Sequence, residues 1–105
     1  MFLIVLTYVK PLSEVDELVD AHLAHLDRYY DADVFVLSGR RVPRTGGVIL
    51  AQGVSRATIE TIAAEDPFVR EGVATVEVIE FVPGTRSHPA LAPLFSGLGG
   101  SFPAS

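Results

Sequence analysis

"AAEDPFVREGVATVEVIEFV" (Ala63–Val82) places an acid where the backbone does not favour one. Ile59, Ile62 and Ala63 recur at helical spacing. Asp66-Pro67 ends that helix, because the residue before a proline is pushed out of the helical region. Beyond Gly72, "VATVEVIEFV" (Val73–Val82) is rich in β-branched residues and reads as a strand. A helix C-terminus favours Lys, Arg or His, so Asp after Glu runs against the local field. The stretch supplies the last helix and the last strand, and it leaves Asp66 needing a reason.

The elements before it follow from the same signals. Phe2–Val9 is an apolar, β-branched strand ending at Lys10-Pro11. Ser13 offers an N-cap, with Glu14, Asp16 and Glu17 in the first turn, and predicts one helix running to about Tyr30 or Asp31. Asp33–Gly39 reads as a second strand, Arg40–Thr45 as a loop containing Pro43, and Val48–Gly53, opened by Gly46-Gly47, as a third strand. Ser55 caps the helix that ends at Asp66. Strand, helix, strand, strand, helix, strand is the ferredoxin-like split βαβ order. It predicts an α+β fold with a four-stranded antiparallel sheet and two helices on one face.

Composition bounds the rest. The 105 residues suit one domain, and 49% hydrophobic against 20% charged residues excludes a disordered chain. A formal charge of −5 excludes a phosphate-backbone binder, so no nucleic-acid partner is expected. There is no cysteine, hence no disulfide, thiol nucleophile or thiolate metal site. "MFLIVLTYV" is too short for a membrane span and lacks a basic flank, so a soluble, cytoplasmic protein with no membrane partner is expected. After Pro83 the chain turns Gly-, Pro- and Ser-rich. Residues 1–83 are therefore read as the domain. Residues 84–105 are read as a tail docking on the domain or a partner subunit through Leu91, Leu94, Phe95 and Phe102.

Both faces of the predicted sheet are apolar. Strand one alternates Phe2, Ile4, Leu6, Tyr8 with Leu3, Val5, Thr7, Val9. Strand two sets Val34 and Val36 against Phe35 and Leu37; strand four sets Ala74, Val76, Val78, Val82 against Thr75, Ile79, Phe81. Helices cover one face only, and burying each large side chain on the other would gain about 1.5–3 kcal/mol. A homodimer packed sheet to sheet is the expected cover, with the tail alone as the alternative.

On a helical wheel His22 falls about 20° from Val15, in the middle of the buried stripe, and His25 about 80° away, at its edge. His22 is either a satisfied core histidine or an imidazole facing a pocket as general acid or base. Asp66 continues the inward series Ile59, Ile62, Ala63. It either caps the turn before Phe68, as Asp-Pro commonly does, or aims at an imidazole and selects its tautomer. The wheel separates His22 from His25, and with Asp66 they lack a fourth ligand, so no metal is expected. Neither a phosphate loop nor a nucleophile elbow is present.

Three segments carry a resemblance: "AHLAHL" on the first helix, "VLSGRRVPRTGGVIL" across the hairpin and "AEDPFVREGVATVEVIEF" at the end. Over residues 1–83 the chain resembles the YciI-like (YCII-related) family. The DPF segment followed by a glycine is the most specific part. The resemblance implies a ferredoxin-like subunit of a dimeric α/β barrel. It also implies a catalytic pair formed by a helix-one histidine and the DPF aspartate, here His22 and Asp66. Relatives of known activity act on small cyclic or aromatic-derived compounds by proton transfer, including dehydrochlorination and, in a related family, lactone isomerisation. Many members carry proline after the hairpin glycine, where this chain has Arg40, and His25 lies outside the shared pattern and is left at the surface.

Around such a cleft, Ser38 and Gly39 end strand two, and Arg44 is placed to pair with an anionic substrate or to remain a solvated loop cation. Tyr8 offers a phenolic hydrogen bond or core packing; Phe68 offers a pocket wall or plain core. The leading expectation is a cofactor-independent enzyme using His22 and Asp66 for elimination, isomerisation or hydrolysis on a small cyclic or anionic molecule. The alternatives are a non-catalytic ligand-binding dimer and a structural dimer whose His-Asp pair is only a buried hydrogen bond.

Overall fold

A computed structural model of the chain describes residues 1–84 and 86–95. Strand β1 (Phe2–Tyr8) is central, with β3 (Gly46–Ala51) and β4 (Ala74–Glu80) antiparallel on either side. β2 (Phe35–Arg40) extends the sheet beyond β3, giving the order β2-β3-β1-β4. Helices α2 (Val19–Asp31) and α3 (Arg56–Glu65) fill one face. Alternation along β1 turns Phe2, Ile4 and Leu6 inward, where they join Leu26, Phe35, Ile49, Ile59 and Ile62 in the main core. The chain is therefore an α+β domain in βαββαβ order. Ser55 caps α3 as expected, accepting the Thr58 N–H at 3.2 Å.

Two short helices depart from the expectation. The first helical stretch is broken: α1 (Leu12–Asp16) follows Pro11, and α2 starts afresh at Val19. Ser13 lies inside α1 and caps nothing, because Pro11 supplies the extended residue that opens the helix. After Asp66 the chain does not simply leave the helix. It makes one further turn, α4 (Pro67–Arg70), with proline at its first position. α1 and α4 pack around a second cluster of Val15, Phe68, Val73 and Ala74.

Strand two also breaks its alternation. Phe35 pairs with Ala51 and Leu37 with Leu50, so Val36 forms a bulge. The extra residue leaves Phe35 inside and puts Leu37 on the outer face, 66% exposed, reversing the expected parity. The next residue, Ser38, is turned toward the helix side beside Ile49.

On the outer face the pairing aligns Leu37, Leu50, Leu3 and Ile79 in one row across all four strands. The row is apolar, as the alternation predicts. Beyond β4 a 3₁₀ turn (Pro89–Leu91) leads into α5 (Ala92–Phe95), and Leu91 is exposed. The side chains of Leu94 and Phe95, and all of Phe102, lie outside the described residues.

Candidate active site

Asp66 sits at the joint of α3 and α4 in an extended conformation, 2% exposed. Its Oδ1 accepts the Phe68 N–H at 2.9 Å, capping α4. This answers the misplaced acid: Asp66 ends one helix but begins another, where negative charge is favoured. The same carboxylate meets His22 Nδ1 at 3.0 Å through Oδ1 and 2.9 Å through Oδ2. The turn-capping and imidazole-binding readings of Asp66 therefore describe one residue doing both.

His22 lies on the inward face of α2, its side chain 14% exposed. A carboxylate can only accept, so Nδ1 donates and the tautomer with a bare Nε2 is selected. Phe68 stacks on the imidazole at 4.1 Å between centroids and 14° between planes. Tyr8 meets Phe68 edge-on at 5.7 Å. The ring is thus held at one edge by Asp66 and on one face by Phe68.

His22 borders a cleft of about 310 Å³ between α2 and the β2–β3 hairpin. That is at the lower end of the roughly 300–1,000 Å³ usual for ligand sites. Leu6, Val19, Leu26 and Phe68 give it apolar walls. Tyr8, Ser38, Gly39 and Arg44 all line it too, so every predicted site residue except Asp66 faces the same space, with Asp66 behind His22. Gly46 and Gly47 form part of the lining. At Gly46 a Cβ would lie 1.8 Å from the Leu6 carbonyl oxygen, so only glycine lets β3 approach β1 this closely.

The polar groups of the cleft are unequal. Arg44 is bound to Asp16 at 2.6 Å, and that hydrogen bond pushes the guanidinium above the usual arginine range. Ser38 Oγ accepts from the Tyr30 hydroxyl at 2.6 Å. Arg40 lines the cleft, a placement the sequence signals only through its position after the hairpin glycine. Among the described residues, no group of three or more His, Cys, Asp or Glu is placed to hold a metal, and no helix is long and apolar enough to cross a membrane.

His25 departs from its expected place at the surface: it is 9% exposed. Its ring packs against Tyr29 and Phe35, and Nε2 is buried with no partner among the described residues. Burial lowers its pKa; Asp66 and Glu65 pull upward, His22 and Arg28 downward. The wheel set His25 only at the edge of the buried stripe and could not show that Glu65 and Pro67, from the joint of α3 and α4, lie beside it.

A model of the YCII-related domain matches residues 1–82. The chain belongs to the YCII-related family. No curated protein matches it. Among solved structures this YCII-related chain is similar to 5-chloro-2-hydroxyhydroquinone dehydrochlorinase from Burkholderia phenoliruptrix AC1100, in complex with 2,5-dihydroxybenzoquinone. The two share 18% identity and superpose with a TM-score of 0.68, over 84% of this chain and all of that one. The likeness shows the shared fold.

Proposed function

We propose that this YCII-related protein is a cofactor-independent enzyme that moves a proton on a small cyclic or anionic compound, with His22 as general acid/base and Asp66 as its orienting partner. The observation that carries the reading is the His22–Asp66 contact at 2.9 Å beside an apolar cleft. Nδ1 is occupied by the carboxylate, so Nε2 is the nitrogen left for a substrate. A proton taken at Nε2 makes an imidazolium, which the buried carboxylate stabilises without moving. The apolar walls exclude water and strengthen that attraction. In an elimination, Nε2 takes a proton from a ring carbon, the C–H pair forms the new double bond, and the leaving group departs with its own electron pair. In an isomerisation, the same imidazolium returns the proton to another carbon.

The fold shared with a dehydrochlorinase solved with a quinone supports a ring compound as the substrate class. The apolar row on the outer sheet face supports a homodimer packed sheet to sheet.

Kinetics on chlorinated hydroquinones and enol-lactones test the reading. His22→Asn is expected to lower kcat by about 10²–10⁴-fold while ligand affinity persists. Binding by the parent protein without turnover of any such compound would make this a ligand-binding module. Undiminished turnover by the His22→Asn protein would remove His22 from the chemistry.

A further inference from the structure

We propose that the cleft selects ring compounds that carry a carboxylate, and that Arg40 is the residue that reads it. This rests on the cleft being a small-molecule site, but not on His22 turning anything over. Two arginines line the cleft, and they are not equivalent. Arg44 spends its charge on Asp16 at 2.6 Å. Arg40 has no carboxylate partner among the described residues. In a chain with 13 acids and 8 basic residues, a cation left unpaired at a cleft wall is available for an incoming anion.

The neighbouring residue on the same strand adds direction. Tyr30 donates its hydroxyl hydrogen to Ser38 Oγ, so the Ser38 hydrogen remains free to be donated. Ser38 and Arg40 are two apart on β2, and residues at that spacing share a side of the strand. Together they offer a planar cationic fork and one hydroxyl donor, which suits the two oxygens of a carboxylate. A phosphate dianion would want a second free cation, and Arg44 is already neutralised. Leu6, Val19, Leu26 and Phe68 give the cleft apolar walls that suit a ring. His22 on α2 lies across from the hairpin, so an acid group held at Arg40 leaves the ring directed at the imidazole.

Calorimetric titration of the full chain with 2,5-dihydroxybenzoate and with its neutral isostere 2,5-dihydroxybenzamide tests this. The acid is expected to bind at least about tenfold tighter at low salt, and the gap narrows at high salt because Arg40 is solvent-exposed. Arg40→Gln is expected to reduce the preference to less than about twofold, by weakening the acid far more than the amide. Arg40→Lys keeps the charge without the fork and recovers part of the preference. Circular dichroism of each variant confirms the fold. Equal binding of acid and amide by the parent overturns the proposal. So does an Arg40→Gln protein that keeps the preference, or no binding of either probe. His22→Asn is run beside them and should keep the preference for the acid. A protein without turnover whose preference still depends on Arg40 removes the enzymatic reading and leaves the carboxylate site standing.

Discussion

Asp66 satisfies two donors from different elements, the Phe68 N–H at the start of α4 and the His22 ring on α2. Removing it and neutralising it should therefore differ. Asp66→Ala leaves both donors unpaired in a buried site and is expected to cost about 1–3 kcal/mol in urea unfolding. Asp66→Asn keeps an oxygen for the cap, so most stability should remain while kcat falls, because the amide no longer balances an imidazolium. Equal stability loss in both variants would show that the charge, not the cap, matters to folding. His25 makes a separate prediction. Its folded pKa lies below the unfolded value of about 6.5, so the unfolded chain binds more protons in that window. Stability should be complete above about pH 6.5 and decline as the pH falls toward the folded value. His25→Leu should flatten this acid-side decline in urea midpoints measured from neutral to mildly acid pH. A decline that survives the substitution would assign it to other groups.

At the scale of elements, the close approach of β3 to β1 rests on Gly46. Gly46→Ala forces a methyl into the Leu6 carbonyl and is expected to destabilise by about 3 kcal/mol or more, measured by chemical denaturation. A change within experimental error would mean the hairpin shifts at no cost. What the sequence made legible was local. The alternation of β1, the Ser55 cap and the break at Asp66-Pro67 each depend on a few adjacent residues, and each appears in the structure. The convergence of His22 with Asp66 was also readable, since both continue inward-facing series on helices that share one sheet face. The Val36 bulge and the restart of the helix at Val19 were not readable. They arise from how β2 pairs with β3 and how α2 seats beside α4, and no window of ten residues contains those partners. Ser38 and His25 are the residues affected. The bulge brings one to the cleft wall, and the neighbouring elements bury the other.

For the whole molecule, the outer sheet face is the open question of assembly. Leu37, Leu50, Leu3 and Ile79 form a continuous apolar row, and Ile79 is 42% exposed in the single chain. Light scattering on the eluting protein is expected to give twice the 11.3 kDa chain mass. Ile79→Lys, which sets a charge at the β4 end of that row, should return it to one chain with its circular dichroism unchanged. A parent protein that elutes as a single chain would rule out sheet-to-sheet pairing. The site sits on the other face, under the helices, so ligand binding by the monomeric variant separates assembly from recognition. The carboxylate shared by His22 and the Phe68 amide has a consequence that reaches beyond the cleft. Anything that changes the electrical state of the imidazole must also change the pull on that one backbone hydrogen. In ¹⁵N-enriched protein the ¹H–¹⁵N cross-peak of Phe68 is thus a built-in voltmeter, able to follow the charge on His22 without a dye or a known substrate.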